Sequence, residues 1–108
     1  CPVIDARRME VFMAVYNRNM ETITDPCAMI IDGNSFDSLL AVGKIIFAGN
    51  GSEKIRKIIC HPNAIFINST TTAADMVRLS ADKFTKKMFA DTAYTEPFYI
   101  KEFYSAAR

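Results

Sequence analysis

The chain has 108 residues, of which half are hydrophobic, and its 13 basic and 12 acidic residues give a net charge of +1. This size and apolar content predict one domain over residues 1–108 with a packed core, and they argue against intrinsic disorder. The balanced charge argues against a free-standing nucleic-acid-binding protein, which is usually basic.

The cysteines and the hydropathy pattern bear on the compartment. Cys1, Cys27 and Cys60 are widely spaced and odd in number, which is untypical of a disulfide framework and fits reduced thiols. No apolar run has the length that a bilayer requires, and no secretory signal is recognisable. We therefore expect a cytoplasmic protein with no membrane partner. The lack of an initiator Met suggests a fragment or a processed chain.

The first third of the chain predicts three β-strands. Residues 3–6 and 10–16 are rich in Val, Ile and aromatic side chains, and the short Arg7-Arg8-Met9 connection predicts a hairpin between them. A third strand is predicted over residues 28–31, after Asp25-Pro26, which disfavours a helix.

The middle of the chain alternates between predicted helices and strands. A helix is predicted after residue 34, with Asn34 or Ser35 as its side-chain cap, Phe36, Leu39 and Leu40 on one face, and Gly43 at its end. The nearly continuous apolar run 44–48 predicts a strand buried on both faces. A short helix over residues 53–60 and a strand over residues 64–67 follow.

The longest helix is predicted over residues 73–89. Thr72 and Asp75 have the spacing of a capping box at its start. Three- and four-residue spacing predicts a buried apolar stripe along it. The members of this stripe are Ala74, Val77, Ala81, Phe84 and Met88. The aromatic tail 94–104 is predicted to be extended and docked on the body, because Pro97 disfavours a helix at Glu96.

This order of elements predicts an α/β fold, with a mixed sheet and helices packed on it. The turn at residues 49–52 follows a buried strand and precedes a helix, so its N–H groups are weak candidates for holding a phosphate. The residues of this turn are Gly49, Asn50, Gly51 and Ser52. Their spacing matches neither the P-loop nor the dinucleotide fingerprint, and a purely structural turn is the favoured interpretation.

Other candidate sites each have a simpler structural interpretation. Cys60-His61 lacks the further ligands that a zinc site needs, so a helix end followed by a turn is favoured. A basic group, Lys54, Arg56 and Lys57, has Glu53 beside it and is interpreted as a solvated face. Asp5 is expected to bind backbone N–H groups of the hairpin rather than to serve in a carboxylate pair.

Two end segments resemble a known family. The run Ile-Asp-Ala-Arg-x-x-Glu-Val-aromatic at residues 4–12 is followed, about eighty residues later, by Glu-Pro-Phe-Tyr-Ile-Lys at residues 96–101. This pair is similar to the C-terminal half of the TsaB (YeaZ) family, the non-catalytic partner in the bacterial complex that makes N6-threonylcarbamoyladenosine (t6A) on tRNA. The small-residue turn at 48–51 and the helix start at 72–76 also resemble the family, whereas residues 18–43 do so weakly.

The resemblance implies a specific architecture. TsaB has the actin-like ATPase superfold with two ribonuclease-H-like lobes, so this chain is expected to be the second lobe, with about five strands and three helices. The first-lobe Gly-Pro-Gly-Ser-Phe-Thr-Gly loop is absent from the chain. Since that lobe carries the family's main pairing surface, both the homodimer contact and the main contact with TsaD are expected to lie outside this chain.

The resemblance also implies a role without chemistry of its own. The catalytic subunit TsaD transfers the threonylcarbamoyl group, TsaE is the ATPase, and tRNA is contacted indirectly. No catalytic residue, metal ligand or cofactor is expected in this lobe, and the full-length protein or complex is a candidate for binding ATP or ADP. The older glycoprotease label finds no nucleophile and base here. The open alternatives are a nucleotide-binding lobe and a glycoprotease-like hydrolase.

Six residues of the two end segments are the candidate structural or partner-binding residues. They are expected to lock the hairpin and the tail together. These residues are Arg7, Arg8, Glu10, Glu96, Pro97 and Tyr99.

Overall fold

A computed structural model describes residues 1–102 of the chain as a small mixed α/β domain with two sheets. Its strands are β1 (Val3–Asp5), β2 (Glu10–Tyr16), β3 (Thr22–Ile30), β4 (Ile45–Ala48) and β5 (Ala64–Ile67). Its helices are α1 (Asp37–Val42), α2 (Ser52–Arg56) and α3 (Met76–Thr85), the last preceded by a 3-10 turn at Ala73–Asp75. The predicted α/β class is therefore confirmed, and β2 and β5 have the predicted bounds.

The two sheets meet along β1 and β4. Strands β1, β2 and β3 are antiparallel in that order, and β4 pairs in parallel with β5. A parallel bridge between Pro2 and Ala48 joins the sheets, and the Ala48 N–H donates to the Cys1 carbonyl at 3.1 Å. The strands consequently lie in the order β3-β2-β1-β4-β5.

One face of these strands carries the core. Val3, Val11 and Phe47 are fully buried there, and α1 and α2 add Leu40 and Ile55. Phe47 stacks on Phe66 with the ring centroids 5.3 Å apart and meets Phe36 edge to face at 4.9 Å. Aromatic pairs of this geometry stabilise a core beyond their buried area.

The third strand is longer than predicted. It begins at Thr22 rather than at residue 28 and contains Pro26, because its pairing with β2 is irregular there: Met13 pairs with Cys27, whereas Val15 pairs with Thr24. A proline is tolerated at such a bulge and on an edge strand. Propensity missed residues 22–27 of this strand because Pro26 and Asp25 are poor strand formers.

The start of α1 is also different from the prediction. Phe36 occupies the cap position and no side chain caps the helix, whereas Gly43 is its C-cap, as predicted. Ser35 instead accepts from the Asp32 N–H at 2.7 Å and donates to the Asp32 carboxylate, which also accepts from the Asn34 N–H. The polar residues close a turn before the helix because Asp side chains readily bind the backbone two residues on. Phe36 and Leu40 are buried and Leu39 is half-buried, as their spacing predicted.

Two further predictions are corrected, namely the burial of β4 and the length of α2. Ile45 and Phe47 of β4 are buried, but Ile46 is 49% exposed, so the prediction of burial on both faces is wrong. Helix α2 ends at Arg56 rather than at residue 60, although Ile55 and Ile59 are buried as their spacing requires.

The largest correction concerns α3. The helix spans Met76–Thr85 rather than residues 73–89, and none of its residues is buried. Of the predicted stripe, Val77, Ala81 and Phe84 lie in the helix, whereas Ala74 precedes it and Met88 follows it. Val77 is 66% and Phe84 71% exposed. Within residues 1–102, α3 makes its extensive contacts only with the 3-10 turn, so periodicity identified an apolar face and not its burial.

The capping box before α3 is confirmed. The Thr72 N–H donates to the Asp75 carboxylate at 2.7 Å, and the reciprocal bond from the Asp75 backbone to the Thr72 side chain is present. Beyond the helix, residues 86–102 contain no further helix or strand. The end of the predicted tail, residues 103–104, lies outside the described residues.

Candidate functional site

The turn of the β1–β2 hairpin has an unusual backbone. Arg7 and Arg8 both have positive φ angles, of 68° and 48°. Residues other than glycine adopt such angles infrequently. The Asp5 carboxylate accepts from the Arg7 N–H at 2.8 Å, as expected from the sequence, and Glu10 N–H donates to the Arg7 carbonyl at 3.1 Å. Both arginine side chains are exposed, so the turn presents two guanidinium groups to solvent.

Helix α2 ties this hairpin to the second sheet through Lys54. The Lys54 ammonium forms an ion pair with Asp5 and donates to the Glu10 carbonyl at 2.9 Å. Its side chain is only 16% exposed. Lys54 was interpreted from the sequence as part of a solvated basic face, and that interpretation is wrong because the hairpin carboxylate and carbonyl enclose its ammonium.

The β4–α2 turn provides a second tie. The Asn50 side-chain oxygen accepts from the Asp5 N–H at 2.9 Å, and the Gly51 N–H donates to the Val3 carbonyl at 3.1 Å. A Cβ added at Gly49, where φ is +111°, would lie 2.3 Å from the Val3 carbonyl oxygen. The glycines are therefore needed for the close approach of this turn to β1, and the Gly51 N–H is already bound within the protein. These contacts favour the structural interpretation of residues 49–52 over a phosphate site.

The tail reaches the hairpin through one residue. The Lys101 ammonium lies 2.8 Å from both carboxylate oxygens of Glu10. Glu96 and Pro97 are exposed, and Tyr99 is 70% exposed. The contact between the hairpin and the tail that this ion pair makes involves Lys101, which was not among the candidates Glu96, Pro97 and Tyr99.

We call this cluster of Asp5, Glu10, Asn50, Lys54 and Lys101 the hairpin junction. It joins β1, β2, the β4–α2 turn, α2 and the tail in one hydrogen-bonded group. Of the six candidates drawn from the sequence, Glu10 belongs to the junction, Arg7 and Arg8 border it, and the other three lie along the tail. The junction residues Asn50 and Lys101 fall inside motifs quoted from the sequence, but no spacing rule pairs them with positions 45 or more residues away.

Electrostatics within the junction favour the charged form of Asp5. The Lys54 ammonium hydrogen-bonded to this carboxyl holds its pKa below the usual range, and the Arg7 N–H acts in the same direction. The Asp5 pKa is lowered because both donors bind the carboxylate better than the neutral acid. Away from the junction, the pKa of Asp32 is lowered by the Asn34 N–H and the Ser35 hydroxyl.

The Cys60-His61 pair forms an ordinary turn in the structure. The His61 ring nitrogen Nδ1 accepts from the Asn63 N–H at 3.1 Å, and the exposed Cys60 is a free thiol. Across residues 1–102, no group of three or more His, Cys, Asp and Glu side chains has an arrangement that fits a metal ion. In the same part of the chain, no helix has both the length and the apolar character needed to cross a membrane.

Comparisons with known proteins return no relative: no family model, curated protein or solved structure matches the chain.

Proposed function

We propose that this chain is the C-terminal lobe of a TsaB-like protein and a non-catalytic scaffold of the t6A modification complex. The observation that carries the proposal is the Glu10–Lys101 ion pair, which joins positions 91 apart in the chain. Glu10 belongs to the first resembling segment and Lys101 to the second. Two segments matched separately to one family make contact in the fold, which supports their belonging to one structural unit.

The strand order also supports a ribonuclease-H-like lobe. Three antiparallel strands, followed by two parallel strands that are each reached through a helix, are the arrangement expected of such a lobe. The order β3-β2-β1-β4-β5 has this form, with the Pro2–Ala48 bridge between its halves.

The proposed role is to shape and support the complex. The junction side chains are bound to one another, so they hold segments together. The side chains of Arg7 and Arg8 are exposed and positively charged, and guanidinium groups bind partner carboxylates in bidentate fashion. In the proposed complex the partners are TsaD and TsaE, and tRNA is modified by TsaD.

A pull-down with TsaD from the same source tests the proposal. We expect TsaD to be retained by a form that carries an N-terminal lobe and to be retained poorly by this chain alone. Strong retention by this chain would place a contact surface here, and Arg7→Ala and Arg8→Ala would then be expected to weaken it. Retention by neither form would overturn the proposal.

Charge reversal at the junction gives a second test. It uses cells whose t6A depends on the form of the protein that carries an N-terminal lobe. Glu10→Lys should lower the t6A content of tRNA, measured by mass spectrometry of its nucleosides, because Lys54 and Lys101 would then face a third cation. The matched control is the exchange Glu10→Lys with Lys101→Glu, which restores the pair and should restore t6A. Full t6A in the single variant at normal protein level would contradict a scaffold role for the junction.

A further inference from the structure

The end of α3 brings two phenylalanines together on the surface. The chain turns back after the helix, where the Lys87 N–H donates to the Phe84 carbonyl at 3.0 Å. The Met88 N–H donates to the Lys83 carbonyl at 2.9 Å, which completes a Schellman motif. Phe89 consequently lies edge to face against Phe84, with the ring centroids 5.6 Å apart. Both rings are exposed, Phe84 by 71% and Phe89 by 67%.

Three lysines accompany this aromatic pair. Lys83, Lys86 and Lys87 are exposed, and across residues 1–102 none of them takes part in an ion pair. Lys87 has a φ of 54° at the position of the motif where glycine is usual, so the chain holds a cation there at a conformational cost. We call this end of α3 the basic-aromatic tip. Its members are Lys83, Phe84, Lys86, Lys87, Met88 and Phe89.

The tip keeps a positive charge when the nearest acid is included. Asp82 lines a groove of about 410 Å³ together with Lys83 and Lys86. Three lysines against one aspartate leave the tip with a charge of +2. Asp82 also lies about 160° from Phe84 around the helix axis, because the two are separated by two residues. The side of the helix that carries the phenylalanine is therefore flanked by cations.

The apolar side of α3 continues from the tip along the helix. Val77 and Ala81 precede Phe84 by seven and three residues, so the three lie on one side. Val77 is 66% exposed, and no residue of α3 is buried. A helix with lysines on its polar side and phenylalanine on the other is typical of segments that lie in the surface of a bilayer.

We propose that the basic-aromatic tip binds the surface of a membrane that contains anionic lipids. Phe84 and Phe89 enter the boundary between headgroups and acyl chains, and the lysine ammoniums meet the lipid phosphates. Each lysine near an anionic surface contributes about fivefold in affinity, so the charge of the tip selects anionic over neutral lipid. This surface is separate from the hairpin junction, and the inference goes beyond the proposed scaffold role.

Two features favour lipid over a nucleic acid as the partner. Bases stack on the open faces of aromatic rings, whereas the edge of one ring here packs against the face of the other. Val77, Ala81 and Met88 add aliphatic surface, which suits acyl chains rather than bases. A helix in the plane of a membrane needs no spanning length, so the expectation of no membrane partner, which rested on the lack of a spanning run, does not address it.

The test is co-sedimentation of the 108-residue chain with lipid vesicles. Vesicles of phosphatidylcholine and phosphatidylglycerol should retain the chain, and vesicles of phosphatidylcholine alone should bind it about tenfold more weakly or less. Added salt should weaken retention by the anionic vesicles, because it screens exposed charges.

Variants locate the binding surface. Phe84→Ser removes an inserted ring and should raise the dissociation constant for anionic vesicles about tenfold or more. Lys87→Glu reverses one charge of the tip and should also raise it about tenfold or more. Arg18→Glu on the β2–β3 turn changes the net charge equally and should leave the dissociation constant within about twofold. Circular dichroism checks that each variant keeps the fold.

Fluorescence places the tip at the lipid directly. The chain has no tryptophan, so Phe84→Trp introduces a single reporter that keeps the aromatic character of the position. Its emission should shift to shorter wavelength with the anionic vesicles. Retention of this variant without such a shift would place the contact elsewhere on the chain and overturn the proposal.

Three further results would overturn it. One is no retention by anionic vesicles, and a radius of gyration near the compact value of about 13 Å would then show that α3 lies on its own strands. Another is retention that neither Phe84→Ser nor Lys87→Glu weakens, because a different surface would be responsible. The third is Phe84-dependent binding of a polyuridine oligonucleotide without vesicle binding, which would assign the tip to a nucleic acid.

Discussion

At the scale of single residues, the close approach of the β4–α2 turn to β1 depends most strongly on Gly49. Gly49 combines a positive φ of +111° with a Cβ direction that points at the Val3 carbonyl oxygen. A side chain there is both conformationally strained and sterically blocked. The turn carries Asn50 and leads into the helix that carries Lys54, so the junction geometry depends on this glycine.

We expect Gly49→Ala to lower the free energy of unfolding by about 2–4 kcal/mol, from backbone strain and the displaced Val3 carbonyl. Gly33→Ala is the matched control, because a Cβ at Gly33 meets nothing within 4 Å and its φ is not positive. The control should stay within about 0.5 kcal/mol of the parent chain. Urea unfolding followed by circular dichroism measures both, and equal values for the two variants would contradict this account of the turn.

The lowered pKa of Asp5 predicts a pH-dependent contribution to stability. A carboxyl whose pKa is lower in the folded state stabilises the fold at pH values above its unfolded pKa, about 3.9, and this contribution is lost as the pH falls through the folded value. The difference in unfolding free energy between the parent and Asp5→Asn should therefore be largest near neutral pH and shrink in acid.

Lys54→Met tests how much of the lowered Asp5 pKa is due to the Lys54 ammonium and how much to the Arg7 N–H. Removing the ammonium should raise the pKa of Asp5 toward its ordinary value, and the Arg7 N–H should retain part of the lowering. Titration of the Asp5 carboxyl carbon by NMR measures it directly. An unchanged Asp5 pKa in Lys54→Met would assign the lowering to the backbone rather than to the ion pair.

At the scale of elements, α3 is a helix that depends on its own ends. An isolated helix of ten residues is marginal in water, so the capping box contributes a large share of its stability. Thr72→Ala removes the side-chain half of the box and should destabilise the helix by about 1 kcal/mol. Thr71→Ala, one residue earlier and outside the box, is the control.

Amide hydrogen exchange resolves this effect by segment. In dilute solution, α3 amides should exchange faster in Thr72→Ala than in the control, while β2 amides keep their protection. Loss of protection in β2 as well would show that α3 supports the strands from which it stands apart in the structure.

The elements that the sequence predicted well are those whose pattern is local. The residue pattern that indicates each of them extends over only a few neighbouring residues. They are strands β2 and β5, the Gly43 end of α1 and the Thr72–Asp75 box. The irregular pairing that lets Pro26 lie within β3 depends on the register of β2. The composition around Pro26 does not contain this information and argued against a strand there. The exposure of Phe84 depends on what lies beside α3, which periodicity cannot report.

At the scale of the whole molecule, the candidate site also contains one contact between near neighbours in the chain and several between distant residues. The Asp5 bond to the Arg7 N–H spans two residues and was predicted. The bonds of Asp5 to Lys54 and Asn50, and of Glu10 to Lys101, join positions far apart in the chain, and only the three-dimensional arrangement brings them together. The two end segments singled out in the sequence meet at Glu10 and Lys101, and the sequence alone did not indicate this pair of side chains.

Strand β3 lies at the outer edge of its sheet, where an unpaired backbone ordinarily recruits further strands and seeds aggregation. Pro26 has no N–H to offer a newcomer, and the irregular pairing beside it disturbs the regular ladder that edge-to-edge growth requires. Open-ended polymerisation through this edge is thereby discouraged.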